Sequence, residues 1–267
     1  MTRFIYVLLA ILLLSGAARA EPSEAERATR WADLKHAIFG DRLVEDAGDR
    51  VVIDAPMRAE DAALVPVAIR VAQTLAPEVR GLYLVIDNNP SPLAAHFLLG
   101  PMADPSEIAT RVRIDDYTYL HAIAETADGR LYATARFIKA AGGCSAPASK
   151  DQALALERLG KMKLNFAERS KPDAPVKVKL LISHPNNSGL QMDQVTRLYT
   201  PARYIDKLAV YQGQDLVFSM AAGISISEDP NFRFTYKPNG AKEFRVEAED
   251  TAGKTFSGAW PATRDGA

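Results

Sequence analysis

The segment YTYLHAIAETADGRLYATARFIK, residues 117–139, is the stretch from which the fold is predicted. Its outer parts, Tyr117–Ala124 and Leu131–Lys139, are rich in apolar, aromatic and β-branched residues, as strands are. Asp128 and Gly129 between them are a typical hairpin turn, because both residue types tolerate the backbone angles that such a turn requires. The segment therefore predicts two antiparallel strands.

Similar segments recur through the first half of the chain, separated by turn residues such as Asp87-Asn88-Asn89-Pro90. About seven short strands at this spacing are typical of an immunoglobulin-like β-sandwich. A helix is predicted before them over Glu24–Ile38, because Ser23 and Glu26 form a capping box. The other predicted strands of this half are Arg50–Ala55, Leu64–Val71, Gly81–Ile86, Leu93–Leu99 and Ala109–Ile114.

The second half returns to alternating apolar and polar residues, although no sequence repeat aligns it with the first. A linker helix is predicted at its start, with a capping box over Ser149–Gln152 and an end at Gly160. The fold class is therefore all-β, with two immunoglobulin-like β-sandwich domains joined by a Gly-Gly-Cys loop and a short helix. The predicted strands here are Met162–Phe166, Val176–Ile182, Ile205–Tyr211, Asp215–Met220, Phe232–Tyr236, Phe244–Ala248 and Thr255–Trp260.

Residues 1–20 have the features of a secretory signal peptide. Arg3 precedes an apolar run from Phe4 to Leu14, and Ala18-Arg19-Ala20 is an A-x-A cleavage site. A membrane anchor is the alternative, but the run is shorter than the roughly 20 residues that span a bilayer. We expect a periplasmic protein organised as a signal peptide (1–20), a first sandwich with its helix (21–141), a cysteine-bearing arm (142–150), and the linker helix with a second sandwich (151–267).

The charge balance excludes some classes of partner. The chain has 32 Lys and Arg against 33 Asp and Glu, a net charge of −1. Cleavage removes Arg3 and Arg19 and no acid, which leaves 30 against 33 and a net charge of −3. This balance argues against a nucleic-acid partner and offers no polybasic surface for membrane binding. The mature protein is expected to be soluble, without a membrane association.

Common catalytic and metal-binding motifs are missing from the sequence. It has no G-x-S-x-G elbow, phosphate-binding loop or dinucleotide fingerprint, and no protein metal site is predicted. The acidic clusters Asp115-Asp116 and Glu247 to Asp250 are interpreted as solvated faces. His184 could act in catalysis, since histidine titrates near neutral pH, but a turn after the strand that ends near Ser183 is the favoured interpretation. The four histidines are His36, His96, His121 and His184.

Cys144 is the single cysteine, so it cannot form an internal disulfide. Gly142 and Gly143 precede it and Ser145-Ala146-Pro147 follows, which leaves no large apolar side chain nearby to bury it. We therefore expect an exposed thiol. An exposed thiol in an oxidising compartment is a liability, which favours a chemical role over chance. Flexible glycines would let it enter the site of another protein, as a swinging arm does.

One ordered set of motifs lies in the first half: Val52–Pro56, Ala59–Asp61, Val65–Val67, Asp87–Leu93, Arg111–Arg113 and Gly142-Gly143-Cys144. A second set lies in the second half: Val178–Pro185, Tyr204-Ile205, Ala222–Ser225 and Asp229–Asn231. The first set resembles SoxY, the covalent sulfur carrier of periplasmic thiosulfate oxidation, and the second set resembles its partner SoxZ. The sequence is similar to the fused SoxYZ-like carriers encoded near quinoprotein dehydrogenases.

The resemblance implies that Cys144 is the attachment site for a sulfur intermediate, held as an S-linked thiosulfonate or persulfide, and that Gly142 and Gly143 give the arm its flexibility. It implies no catalytic residue and no cofactor beyond that covalent sulfur adduct. The expected partners are periplasmic redox enzymes, either sulfur-oxidising enzymes or a quinoprotein dehydrogenase. A homodimer linked by a Cys144 disulfide stays open.

The arm departs from the SoxY pattern, in which Gly-Gly-Cys-Gly-Gly ends the chain. Here Ser145-Ala146-Pro147 follows and the chain continues. A loop tethered at both ends protrudes at most roughly 20 Å, and Pro147 stiffens its return. We therefore expect Cys144 to meet a more open partner site than a narrow channel. Three functions stay open: a covalent carrier, a non-covalent adaptor for a dehydrogenase, and, least favoured, a thiol-dependent enzyme.

Overall fold

The computed structural model describes residues 22–147, 152–167, 174–193 and 196–262. The predicted signal peptide and residues 149–151 of the second predicted capping box lie outside the described residues. We call residues 22–147 the first half and residues 152–262 the second half. No helix in the described ranges has the length and apolar character needed to cross a membrane.

The described residues form fifteen strands, two α-helices and one 3-10 helix at Ala76–Glu78. The first half contains α1 (Glu24–Phe39), β1 (Val44–Asp46), β2 (Val51–Asp54), β3 (Val65–Val71), β4 (Val79–Ile86), β5 (Leu93–Leu99), β6 (Ala103–Val112), β7 (Thr118–Thr126) and β8 (Leu131–Ile138). The second half contains α2 (Gln152–Glu157), β9 (Met162–Phe166), β10 (Val176–Ile182), β11 (Ile205–Gln212), β12 (Asp215–Ala222), β13 (Asn231–Tyr236), β14 (Glu243–Asp250) and β15 (Thr255–Pro261).

Helix α1 begins where the sequence predicts. The Ser23 hydroxyl accepts a hydrogen bond from Glu26 N at 3.3 Å, and the Glu26 carboxylate accepts one from Ser23 N at 2.7 Å. This capping box satisfies two amides that the first turn leaves without partners. Trp31, Leu34 and Ile38 pack the helix onto a small cluster of buried residues in β4, β7 and β8. The helix therefore covers one face of the first half.

The strands form two sheets that both run through the two halves. The nine-stranded sheet has the order β1-β8-β7-β4-β5-β12-β11-β14-β15, and the six-stranded sheet has the order β2-β3-β6-β13-β10-β9. The halves meet where β5 pairs with β12 and where β6 pairs with β13, both antiparallel. We call this junction, together with the contacts beside it, the seam. The prediction of an all-β fold in two sandwiches is confirmed, and the sharing of both sheets is an additional finding.

Aromatic side chains fill the core on both sides of the seam. Phe97 of β5 contacts Phe218 of β12, with ring centroids 6.0 Å apart, and Phe232 of β13, with centroids 6.5 Å apart. Phe218 also contacts Phe234, at 5.0 Å. All four side chains are buried, and edge-to-face aromatic pairs stabilise a core beyond the area they bury. The seam is therefore held by side-chain packing as well as by the paired strands.

Every strand predicted from the sequence overlaps an observed one. Two differences concern the first half. The short strand β1 was not predicted, and it pairs in parallel with the edge of β8. Strand β6 begins at Ala103, six residues before the predicted start, because its first residues pair with Thr235 and Tyr236 of the second half.

Candidate functional site

The residues after β8 turn into the seam and carry Cys144 with them. Gly142 N donates to Asp115 O and Gly143 N donates to Ile114 O, both at 2.8 Å. We call residues 141–147 the cysteine loop. Its path is fixed by backbone hydrogen bonds to the segment that follows β6.

The Cys144 side chain is completely buried, with 0% of its surface exposed. The prediction of an exposed thiol is therefore wrong for this structure. The prediction assumed that the glycines make the loop flexible, but Gly143 is tightly enclosed. A Cβ on Gly143 would lie 2.0 Å from Ala62 O and 2.7 Å from Ile114 O. Glycine here allows close approach of two backbones rather than exposure. The groups that contact the cysteine loop come from distant parts of the sequence.

The second half contributes the other wall. Ser188 Oγ donates a hydrogen bond of 2.5 Å to Cys144 O, and both residues are buried. The serine is held in place because its backbone N donates to Gln191 Oε1 at 3.1 Å. The cysteine loop is thus docked between the two halves, with backbone contacts on one side and one hydroxyl on the other.

Two charged residues flank the thiol. Burial raises the pKa of Cys144 to about 12, and the neighbouring Asp115 carboxylate, which accepts a hydrogen bond from the thiol, adds to the rise. The Arg113 guanidinium acts in the opposite direction. The docked thiol is therefore protonated at neutral pH, and it is a weak nucleophile because the thiolate is the reactive form.

Asp115 was interpreted as part of a solvated face, together with Asp116. Asp116 is exposed, but Asp115 is only half exposed and its carboxylate faces the thiol. The same interpretation holds for Glu247 and fails for Asp250, which is buried and binds the Arg203 guanidinium at 2.8 Å. Asp115 lies between β6 and β7 and Asp250 ends β14, and in both failures another segment of the chain covers the acid.

A buried polar network ties the cysteine loop to the seam. Asn89 Nδ2 donates to Arg113 O at 2.7 Å and to Ser225 Oγ at 2.8 Å, while Asn89 Oδ1 accepts from Asp115 N at 2.9 Å. Arg113 N donates to Ser225 O at 2.7 Å. One asparagine of the first half therefore positions the residues on both sides of the thiol and a serine of the second half.

The Arg113 side chain lies in this network and is 1% exposed. Its Nη1 donates to Ile226 O at 2.7 Å, whereas its Nε has no hydrogen-bond partner. Burial lowers the pKa of Arg113, and the charge of Glu228 opposes that change. The site thus contains a buried cation with donor capacity left over.

His184 is a structural residue here. It follows β10, as predicted; its Nδ1 accepts from Asn186 N at 3.0 Å, so Nε2 carries the proton and faces Asp250 Oδ2 at 3.4 Å. Burial lowers the pKa of His184, which keeps the ring neutral. A comparable buried pair, His121 and Asp87, lies beneath Trp31 in the first half. Among the described residues, no three His, Cys, Asp or Glu side chains are grouped as a metal site would require.

Comparison with protein families assigns both halves. Residues 35–144 match the model of SoxY, a sulfur oxidation protein, and residues 162–261 match the model of SoxZ, also a sulphur oxidation protein. The chain belongs to the fused SoxYZ-like proteins. Its domain content is that of a sulfur-oxidation carrier, and the match to SoxY ends at Cys144 itself.

A solved structure is similar to part of this SoxYZ-like chain. The sulfur carrier protein SoxY from Chlorobium limicola f thiosulfatophilum is 27% identical, and the match covers 44% of this chain and 96% of that chain, with a TM-score of 0.38. None of the curated proteins matches.

The motif residues that carry the resemblance meet at the seam of the SoxYZ-like chain. Asn89 and Arg113 come from SoxY-like motifs, and Ser225 comes from a SoxZ-like motif. The sequence therefore identified these segments but not their contact with each other. The contacts of Asp115 and Ser188 with Cys144 were missed, because nothing in the sequence indicates that these residues lie beside it. The roles predicted for Cys144, Gly142 and Gly143 stay predictions.

Proposed function

We propose that this chain is a periplasmic carrier that holds a sulfur intermediate covalently on Cys144 and presents it to separate redox enzymes. The observation that carries the proposal is the position of the single cysteine, at the end of the SoxY match and docked against the SoxZ half. A thiol with a raised pKa and no exposed surface is protected from adventitious oxidation between cycles. Loading then requires the cysteine loop to leave the seam.

The chemistry of loading sets what partners must provide. When Cys144 joins thiosulfate, an S–S bond forms, the thiol proton goes to water, and two electrons pass to a partner redox protein. The carrier supplies the Cys144 thiol and the partner supplies the oxidant, so the chain itself needs no catalytic residue for this step. Sulfur-oxidising enzymes or a quinoprotein dehydrogenase system are the partners we propose, each with a site open enough for a loop tethered at both ends.

The intact mass of the mature protein, taken from the periplasm without reductant, tests the proposal. We expect a discrete adduct that reductant removes, that matches a sulfur species and that is missing from Cys144→Ser. A double variant, Cys144→Ser with Ser145→Cys, moves the thiol to the neighbouring exposed position and controls for unspecific oxidation. A measured mass that corresponds to a chain beginning at residue 21 would also confirm the predicted signal peptide.

The competing function is a non-covalent adaptor for a periplasmic dehydrogenase, in which the thiol is dispensable. A clean unmodified thiol, together with normal growth and partner binding of Cys144→Ser, would establish the adaptor and refute the carrier.

A further inference from the structure

Arg113 has hydrogen-bonding capacity that the folded chain does not use. Its Nη1 donates to two backbone carbonyls of the SoxZ half, Ile226 O at 2.7 Å and Ile224 O at 3.5 Å, but its Nε is buried without a partner. Arg113 takes part in none of the ion pairs among the residues that the structure describes. A buried guanidinium with an unused donor is costly, and buried polar groups are normally satisfied. Such a group calls for an anionic ligand.

The hydrogen bonds place this guanidinium beside the thiol. Arg113 Nη1 and Asn186 Nδ2 both donate to Ile226 O, at 2.7 and 3.3 Å. Two residues beyond Asn186, the Ser188 hydroxyl binds Cys144 O. On the other side, Gly143 N binds Ile114 O, adjacent to Arg113 in the chain. Two paths of hydrogen bonds and short chain segments, one on each side of the docked loop, therefore connect Arg113 with Cys144.

The expected cargo matches the charge and shape of this donor. A thiosulfonate on Cys144 ends in a sulfonate that lies on the order of 4 Å beyond the cysteine sulfur, since each S–S bond is about 2 Å. Guanidinium groups bind such planar faces of oxygen atoms with charge-assisted hydrogen bonds. Asp115, by contrast, would repel an anionic adduct and has no S–H left to accept once the sulfur is modified.

We propose that Arg113 is the anion-binding residue for the group carried on Cys144, and that its guanidinium holds the terminal sulfonate while the loaded loop is docked. The inference rests on the carrier function proposed above. It predicts selectivity: an adduct ending in an oxyanion is retained and shielded in the seam, whereas a neutral adduct of similar length gains nothing from Arg113.

Chemically loaded protein tests this without any partner enzyme. Tetrathionate converts the Cys144 thiolate into the thiosulfonate adduct and releases thiosulfate, and methyl methanethiosulfonate gives the neutral S-methyl disulfide and releases methanesulfinate. Both exchanges balance without an external oxidant. The measured quantity is the rate at which dithiothreitol removes each adduct, followed by intact mass.

Arg113→Gln should speed removal of the thiosulfonate at least about tenfold and leave removal of the S-methyl group within about twofold. Arg111→Gln is the matched control, because Arg111 also has a buried Nε without a partner and binds the SoxZ-half carbonyls of Glu228 and Asp229, but only Arg113 is among the charges that act on the thiol. It should leave both rates unchanged. Arg113→Lys, which keeps the charge but not the fork, should give an intermediate rate for the thiosulfonate.

Equal acceleration of both adducts would show that Arg113 only supports the seam, and equal rates in all variants would show that the loaded loop leaves the seam. Either result overturns the inference and leaves the carrier function standing. Should Arg113→Gln fail to fold, Arg113→Lys decides by the same ratio of rates. The carrier function fails separately, when the periplasmic protein carries no adduct.

Discussion

The two walls that hold the cysteine loop are built differently. On the SoxY side two backbone hydrogen bonds and the Asp115 carboxylate hold the loop, and Gly143 lies so close to Ala62 O that no side chain fits between them. On the SoxZ side the Ser188 hydroxyl binds Cys144 O, which is the one hydrogen bond from that side among the described residues. The first wall therefore depends mainly on close fit, and the second depends on one exchangeable hydrogen bond.

The difference suggests where the loop is released. Steric fit is lost only when two backbones separate, whereas a side-chain hydrogen bond contributes about 1 kcal/mol and can be replaced by water. A partner that replaces the Ser188 hydrogen bond would therefore weaken the SoxZ wall first. The accessibility of the thiol, measured by its alkylation rate in the purified protein, reports the docked and released populations and tests both walls.

Gly143→Ala should give the largest effect. Its Cβ would collide with Ala62 O and Ile114 O, both backbone atoms that cannot rotate away. Overpacking of this kind costs up to about 3 kcal/mol, so we expect alkylation of Cys144 to rise by about a hundredfold. The rate is followed by intact mass after a timed reaction with iodoacetamide.

Gly142→Ala is the matched control for that prediction. It has the same change in side chain one residue earlier, at a position with φ +78° and no atom within 4 Å of the new Cβ. Only the strain of the left-handed backbone remains, about 1 kcal/mol, so the rate should rise about fivefold. Equal effects of the two variants would mean that loop flexibility, and not the close fit of Gly143, controls docking.

Ser188→Ala should have a smaller effect than Gly143→Ala. It leaves Cys144 O buried without its donor, which costs about 1 to 2 kcal/mol and should raise the alkylation rate about tenfold. Ser145→Ala is the control, since among the described residues Ser145 Oγ donates to Gly142 O alone, at 3.3 Å, from an exposed position. Its rate should change less than about twofold. An unchanged rate in Ser188→Ala would remove the SoxZ wall from the comparison.

The strands could be predicted because burial alternates along them. In β10, Val176, Val178, Leu180 and Ile182 face inward and Lys177 and Lys179 face outward, so the pattern is visible in the sequence. The joining of the halves could not be predicted in this way. Strand β5 has the same sequence pattern whether β12 or solvent lies beside it, because the pairing is made by backbone atoms.

The site was predicted at the level of its cysteine and not of its surroundings. The small residues around Cys144 gave no sign of burial, since its neighbours Ala62, Ile114 and Ser188 are 82, 30 and 44 positions away. Two glycines are equally compatible with a flexible arm and with close packing. Only the three-dimensional contacts separate these interpretations, and they assign close packing to Gly143 and an open left-handed turn to Gly142.

Asp115→Asn should give the smallest change and sharpens the comparison through pH. The amide still accepts the S–H, but without a full charge, so alkylation at neutral pH should rise about threefold. The sign of the pH effect follows from the raised pKa: docking is at full strength below the free-thiol value of about 8.5 and weakens as the pH rises toward about 12. Alkylation of the wild type should therefore keep rising about tenfold per pH unit above about 8.5, where a free thiol levels off.

Gly143→Ala, whose loop is released, should level off like a free thiol, and Asp115→Asn should level off between the two. Arg113 is the other charge that acts on the thiol, and it is present in all three proteins, so differences among them report the carboxylate and the docking alone. A wild-type rate that levels off near the pKa of a free thiol, about 8.5, would mean that the seam does not change the pKa of the docked thiol. In that case neither wall controls its reactivity, and release of the loop would not be the step that a partner has to bring about.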